Sequence, residues 1–68
     1  MWIETEDGEL INTAMVERLR VEPKRGAWCV TAVLNDGKPI VVLNCIGTRE
    51  DAIIKMKAKA LLAQNGGL

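Results

Sequence analysis

The sequence predicts an α+β fold: an antiparallel β-meander of about five short strands with one C-terminal helix packed on one face. Three observations carry this. Residues 27–46 form two apolar runs rich in β-branched residues, joined by a turn at Asp36-Gly37. Residues 16–22 alternate, with Leu19 and Val21 on one face and Arg18, Arg20 and Glu22 on the other. Residues 49–64 are filled with strong helix formers and stopped by Asn65-Gly66-Gly67.

Taken in order, residues 2–5 and 9–12 read as a small hairpin. Asp7-Gly8 lies at its tip, a pair suited to a type I′ turn. Asn12-Thr13-Ala14-Met15 interrupts the β pattern, and Asn12 or Thr13 is placed to cap a single helical turn that re-aims the chain. The strand over residues 16–22 follows and is ended by Pro23-Lys24-Arg25-Gly26, where the proline lacks a ladder donor. Strands over 27–34 and 39–46 form the central hairpin, in one of two registers. A two-residue Asp36-Gly37 loop sets Trp28 opposite Cys45, Val30 opposite Leu43 and Ala32 opposite Val41. A three-residue loop with Gly37 as a bulge sets Trp28 opposite Asn44 and Val30 opposite Val42. The first is preferred because it leaves one face wholly apolar. Thr48, with Asp51 three residues on, opens the helix in the manner of a capping box, and Glu50 and Asp51 lie at the positive end of its dipole.

On a helical wheel, Ile54, Ala58, Leu61 and Leu62 form one apolar stripe, and Ala52, Ile53, Met56, Ala60 and Ala63 a second. The larger aliphatics are expected on the sheet, and the smoother alanine stripe is expected to admit another element. The expected core is Trp2, Ile11, Leu19, Val21, Trp28, Val30, Leu34, Val41, Leu43, Ile54, Leu61 and Leu62.

A 68-residue chain has room for one domain, and such a chain buries only about 60% of its unfolded surface. Chains this small usually gain from disulfides, a metal or a partner subunit. Two cysteines with no conspicuous spacing, no histidine and no signal-peptide pattern argue against the first two and for a cytoplasmic, reducing setting. No apolar run approaches the roughly 18 residues of a membrane span. Nine bases balance nine acids, so no polyanion-seeking field surrounds the molecule. The distribution is uneven: Glu4, Glu6, Asp7, Glu9 and Glu17 make an acidic lip, and Arg18, Arg20, Lys24 and Arg25 a basic band.

No motif points to catalysis, and no cofactor is implied. Serine and histidine are both absent, which excludes a Ser-His-Asp triad. Cys29 and Cys45 read as small core hydrophobes in strands, although Cys45 precedes the helix N-terminus by a few residues. The Glu4–Glu9 carboxylates fit no calcium loop. The basic band Arg18, Arg20, Lys24 and Arg25 is the candidate nucleic-acid contact, with Trp28 as a stacking surface. Against it, Tyr and Phe are both absent, and sheet-type single-strand binders use several aromatics. An edge strand guarded by charge accounts for the same residues.

The opening Met1-Trp2-Ile3-x-Thr5-x-Asp7-Gly8-x-Leu10-Ile11-Asn12, followed by Val16-Glu17, resembles a group of small uncharacterised bacterial proteins. These begin M-W/F-I/V-x-T-x-x-G-x-L-I/V-N, continue through a β-meander and end in one helix. The resemblance implies an intracellular bacterial origin and carries over no catalytic residue.

One helix covers one sheet face, so the hairpin's other face and the alanine stripe are left apolar, which marks an interaction surface. The candidate oligomer interface is Ala52, Ile53, Met56, Ala60, Ala63, Val33, Ile40 and Val42. The leading expectation is a non-enzymatic interaction or scaffold module acting as a homodimer or higher oligomer, or with another protein. The alternative is a nucleic-acid-associated accessory protein using the basic band.

Overall fold

The structure is a computed structural model and describes residues 2–65, of which residues 62–65 are described by backbone alone. The elements are β1 (Trp2–Glu4), β2 (Leu10–Asn12), a 3-10 turn (Thr13–Met15), β3 (Val16–Lys24), β4 (Ala27–Leu34), β5 (Pro39–Ile46) and α1 (Arg49–Asn65). β1 and β2 form a two-stranded antiparallel sheet, and β3, β4 and β5 a three-stranded one in that order. The helix packs across β3 and β4 and also reaches β1 and β5. This is the expected α+β arrangement, with the meander divided into two sheets at the 3-10 turn.

The caps act as their residue types suggest. The Asn12 side-chain oxygen accepts from Ala14 N at 3.0 Å and opens the 3-10 turn. The Thr48 hydroxyl accepts from Asp51 N at 3.1 Å, satisfying one of the four orphan amides at the start of α1. Asn35 then ties the two sheets' connections together, donating from its backbone to Met15 O at 2.9 Å and from its side chain to Ala14 O at 3.1 Å.

The turns differ from expectation. At Asp7-Gly8 and at Asp36-Gly37 only the glycine has positive φ, so neither is a type I′ turn. Each is a three-residue loop, closed by Thr5 N to Glu9 O in one case and Leu34 N to Lys38 O in the other. The two-residue turn with both φ positive is Arg25-Gly26, at +49° and +79°, between the paired residues Lys24 and Ala27. β3 therefore runs on through Pro23, which faces Trp28. Because Lys24 and Ala27 flank a two-residue turn, Pro23 falls at a position that does not bond to β4. Its missing N–H costs the ladder nothing there.

Neither expected register of β4 and β5 holds throughout. Near the turn the pairs are Val33–Pro39, Ala32–Ile40 and Thr31–Val41, the register of the three-residue loop. A bulge then brings Val30 opposite Leu43, as in the preferred register, and a second sets Trp28 opposite Ile46. Each bulge adds one residue on β5. Cys45 lies in the second and takes a left-handed φ of +57°.

The core is Ile3, Ile11, Val30, Ala32, Val42, Ile46 and Ala52, with Leu19, Val21, Trp28, Leu34, Leu43 and Met56 packed around it. Val30 and Val42 are fully enclosed, and each such side chain contributes about 1.5–3 kcal/mol by its removal from water. Among the described side chains, four expected core residues lie outside: Val41 pairs with Thr31 on the opposite sheet face and is half-buried, and Trp2, Ile54 and Leu61 are exposed. Trp2 is exposed because Ile3 pairs with Ile11; in that register the two isoleucines share the inner face, and alternation turns Trp2 and Leu10 outward. Ile54 (64% exposed) and Leu61 (58%) are exposed because the helix presents its other stripe to the sheet. Ala52 is fully buried, and Ile53, Met56 and Ala60 are half-buried. The small side chain of Ala52 lets the helix backbone approach the strands closely, and the Lys59 ammonium, donating to Glu4 O at 3.0 Å, fits the same rotation. Leu62 and Ala63 lie outside the described side chains.

Candidate functional site

On the sheet face opposite the core, Cys29, Thr31 and Val33 alternate with Val30 and Ala32 and are buried. β3 supplies the side chains beside them: Glu22 pairs with Cys29, Arg20 with Thr31 and Arg18 with Val33. The Thr31 hydroxyl donates to Glu22 Oε2 at 3.0 Å, and the Cys29 thiol lies 3.6 Å from the Thr31 oxygen. The other carboxylate oxygen of Glu22 meets Arg20 Nη2 at 2.6 Å. The Arg20 and Glu22 side chains are 44% and 35% exposed, a setting in which the pair itself contributes about 0–1 kcal/mol. Its larger consequence is positional: a carboxylate held from both sides orients Arg20 along the strand and covers Thr31.

A second assembly forms at the outer edge of β5. The loop between β1 and β2 lies against this strand. Glu6 N donates to Val42 O at 2.9 Å, and Glu6 Oε2 accepts from Asn44 N at 2.6 Å. Asn44 Oδ1 in turn accepts from Cys45 N at 2.9 Å. Two adjoining depressions of about 400 Å³ each open here. Lys24, Arg25 and Ala27 line one, Glu6, Asp7 and Val41 the other, with Lys24, Asn44 and Cys45 common to both. The Cys45 thiol is thus exposed, which corrects its reading as a core hydrophobe; the bulge that carries it turns it out of the alternation. Cys29 is buried, as expected. An acyl-transfer site needs a general base beside the thiol, and the histidine that usually supplies it is absent from the chain.

The residues singled out from the sequence are distributed as follows. Of the candidate oligomer interface, Ala52 and Val42 are enclosed in the monomer and present no surface, which corrects their assignment. Val33 is buried, and Ile40, Ile53, Met56 and Ala60 are half-buried against their own chain. The apolar stripe that reaches solvent is instead Ile54, Ala58 and Leu61. The basic band is split. Arg18 and Arg20 lie on the open sheet face, with Arg20 paired to Glu22, while Lys24 and Arg25 lie at the tip of the β3–β4 turn beside the cleft. Sequence reasoning did not single out Asn44 or Thr31, and it placed Glu6 only in the acidic lip. Only tertiary proximity brings Glu6 to β5, 38 residues away.

Among the described residues, no three His, Cys, Asp or Glu side chains converge as metal ligands would, and no helix is long and apolar enough to cross a membrane. No family model matches the chain, and no match is found among curated proteins or solved structures.

Proposed function

We propose that the chain is a non-enzymatic interaction module of the bacterial cytoplasm that works as a homo-oligomer. The observation that supports this is exposed apolar area on so small a domain. Ile54 and Leu61 lie two turns apart on the outward stripe of α1, and Trp2, Leu10 and Met15 stand out from the N-terminal hairpin and the 3-10 turn. Large apolar side chains exposed in groups on a small domain mark a surface that meets another protein, and two-fold self-association is the commonest way to cover it. Sedimentation equilibrium of the full chain between about 1 and 100 μM tests the reading, a range that brackets micromolar dissociation constants. Reversible self-association is expected, and a monomer across the whole range would overturn it. An oligonucleotide bound with affinity that falls steeply with salt would favour the nucleic-acid alternative instead.

A further inference from the structure

The geometry points to the outer edge of β3 as the surface on which a second copy of this chain adds, antiparallel and two-fold symmetric about Arg20, to make one continuous six-stranded sheet. The inference rests on the homo-oligomer reading; the contact it specifies is this strand edge, distinct from the exposed apolar side chains of α1 and the N-terminal hairpin.

β3 is an edge strand of nine residues, and among the described residues no strand pairs with its outer side. Counting back from the closing pair Lys24–Ala27, Glu22, Arg20 and Arg18 bond to β4. The N–H and C=O groups of Val21 and Leu19 therefore point outward. A two-fold axis through the Arg20 position sets Leu19 opposite Val21 of the copy, and Val21 opposite its Leu19. These are the residues whose outward groups are available, so four ladder hydrogen bonds form with none left over in the centre. Pro23, which has no N–H to offer, falls at the end of the pairing, facing the bulged Glu17.

The side chains agree with this register. On the core-side face, Leu19 meets Val21, extending an apolar layer in which both are half-buried already. On the open face, Arg18 lies directly opposite Glu22 of the copy, twice by symmetry, in the closer non-hydrogen-bonded spacing. The central Arg20 pair is tolerated because each guanidinium is already held by the Glu22 of its own chain. A slip of two residues one way sets Arg18 opposite Arg20 twice. A slip the other way sets Arg20 opposite Glu22 twice, but it also sets Arg18 opposite Lys24 twice and brings Pro23 against Leu19, whose carbonyl then lacks a donor. There is room for both helices: α1 packs across β3 and β4, so its mate lies two strand spacings away, about 10 Å, within the distance at which helices pack side by side.

Two measurements on the full chain test this. The first is concentration-dependent amide exchange by NMR. Leu19 and Val21 amides are expected to be protected in the oligomer and to lose protection on dilution, whereas Arg18 and Arg20 amides stay protected throughout. The second is a charge exchange. Arg18→Glu and Glu22→Arg each set like charges opposite in a self-pair, so each is expected to weaken self-association by about tenfold or more. Mixing the two chains restores both opposite-charge pairs and is expected to give a heterodimer. An oligomer unaffected by either substitution, with Leu19 and Val21 amides exchanging as freely as in the diluted protein, overturns the inference while leaving self-association standing. A monomer at every concentration overturns both. Should either charge variant fail to fold, the exchange measurement on the unaltered chain still decides.

Discussion

The two edges of the three-stranded sheet are treated differently. β5 is closed along its middle: the β1–β2 loop lies on it, and Glu6 uses both its backbone N–H and its carboxylate to satisfy Val42 and Asn44. Two bulges and the left-handed Cys45 twist the remainder. β3 carries such devices only at its ends, a bulge between Val16 and Arg18 and a proline near the turn. Its centre is regular and charged on one face only. Covering, bulging, proline and charge are the usual means of keeping a sheet edge from templating another strand, and of these the middle of β3 carries only charge, Arg18, Arg20 and Glu22, of mixed sign. The concentration of covering and bulges on β5, and their absence from the middle of β3, mark the latter as the edge left available to a partner of matching charge.

The largest expected effect tests how β5 is anchored. Val42 is fully enclosed at the first bulge, so Val42→Ala should lower unfolding stability by about 2–3 kcal/mol. The half-buried neighbour Val41 should cost well under half of that in Val41→Ala, and equal losses in chemical denaturation would mean that the bulge does not set the inward residue. Next, Glu6→Ala removes the carboxylate from Asn44 N. It should cost about 1 kcal/mol and speed Asn44 amide exchange, with no change in the β3 amides; coupled loss at both edges would erase the contrast between them. Arg25 and Cys45 have φ values of +49° and +57°, which asparagine and glycine tolerate better. Arg25→Asn and Cys45→Gly should each therefore raise the melting temperature, by up to about 1 kcal/mol in stability. A fall in either case would show that the native side chain supplies a compensating contact. Smallest of all, Ile54→Ala and Leu61→Ala on the outward stripe should change monomer stability by no more than about 0.5 kcal/mol. A loss of several kcal/mol would put that stripe in the core after all.

Much of the fold was legible because its signals are local. Alternation over Leu19 to Glu22 requires only the two-residue period of a strand, and it fixed which residues of β3 face the core. The capping oxygens of Asn12 and Thr48 act within three residues of themselves. Turn chemistry was less legible. Three Asp-Gly or Arg-Gly dipeptides lie between strands, and the one that forms the two-residue turn is Arg25-Gly26, whose first residue is the least suited to positive φ. Strand pairing, not dipeptide preference, decided it. The candidate surfaces were the least legible part. The two stripes of α1 are nearly equal in apolar content, so nothing within the helix chooses between them.

The sequence by itself determined the element order, the strand and helix periods, the caps and the two-sided apolar character of the helix, since each depends on residues within a turn or a strand of one another. The tertiary structure alone decided the rotation of α1, the bulges that shift β5 past β4, the exposure of Cys45 and the closure of β5 by Glu6. Each of these is settled by how closely two distant segments can approach. Ala52 admits the sheet where Ile54 does not, and a carboxylate in the first loop reaches backbone that lies far along the chain. The open edge of β3 has both origins: its alternation is written in its own residues, and its availability follows from where the rest of the chain packs.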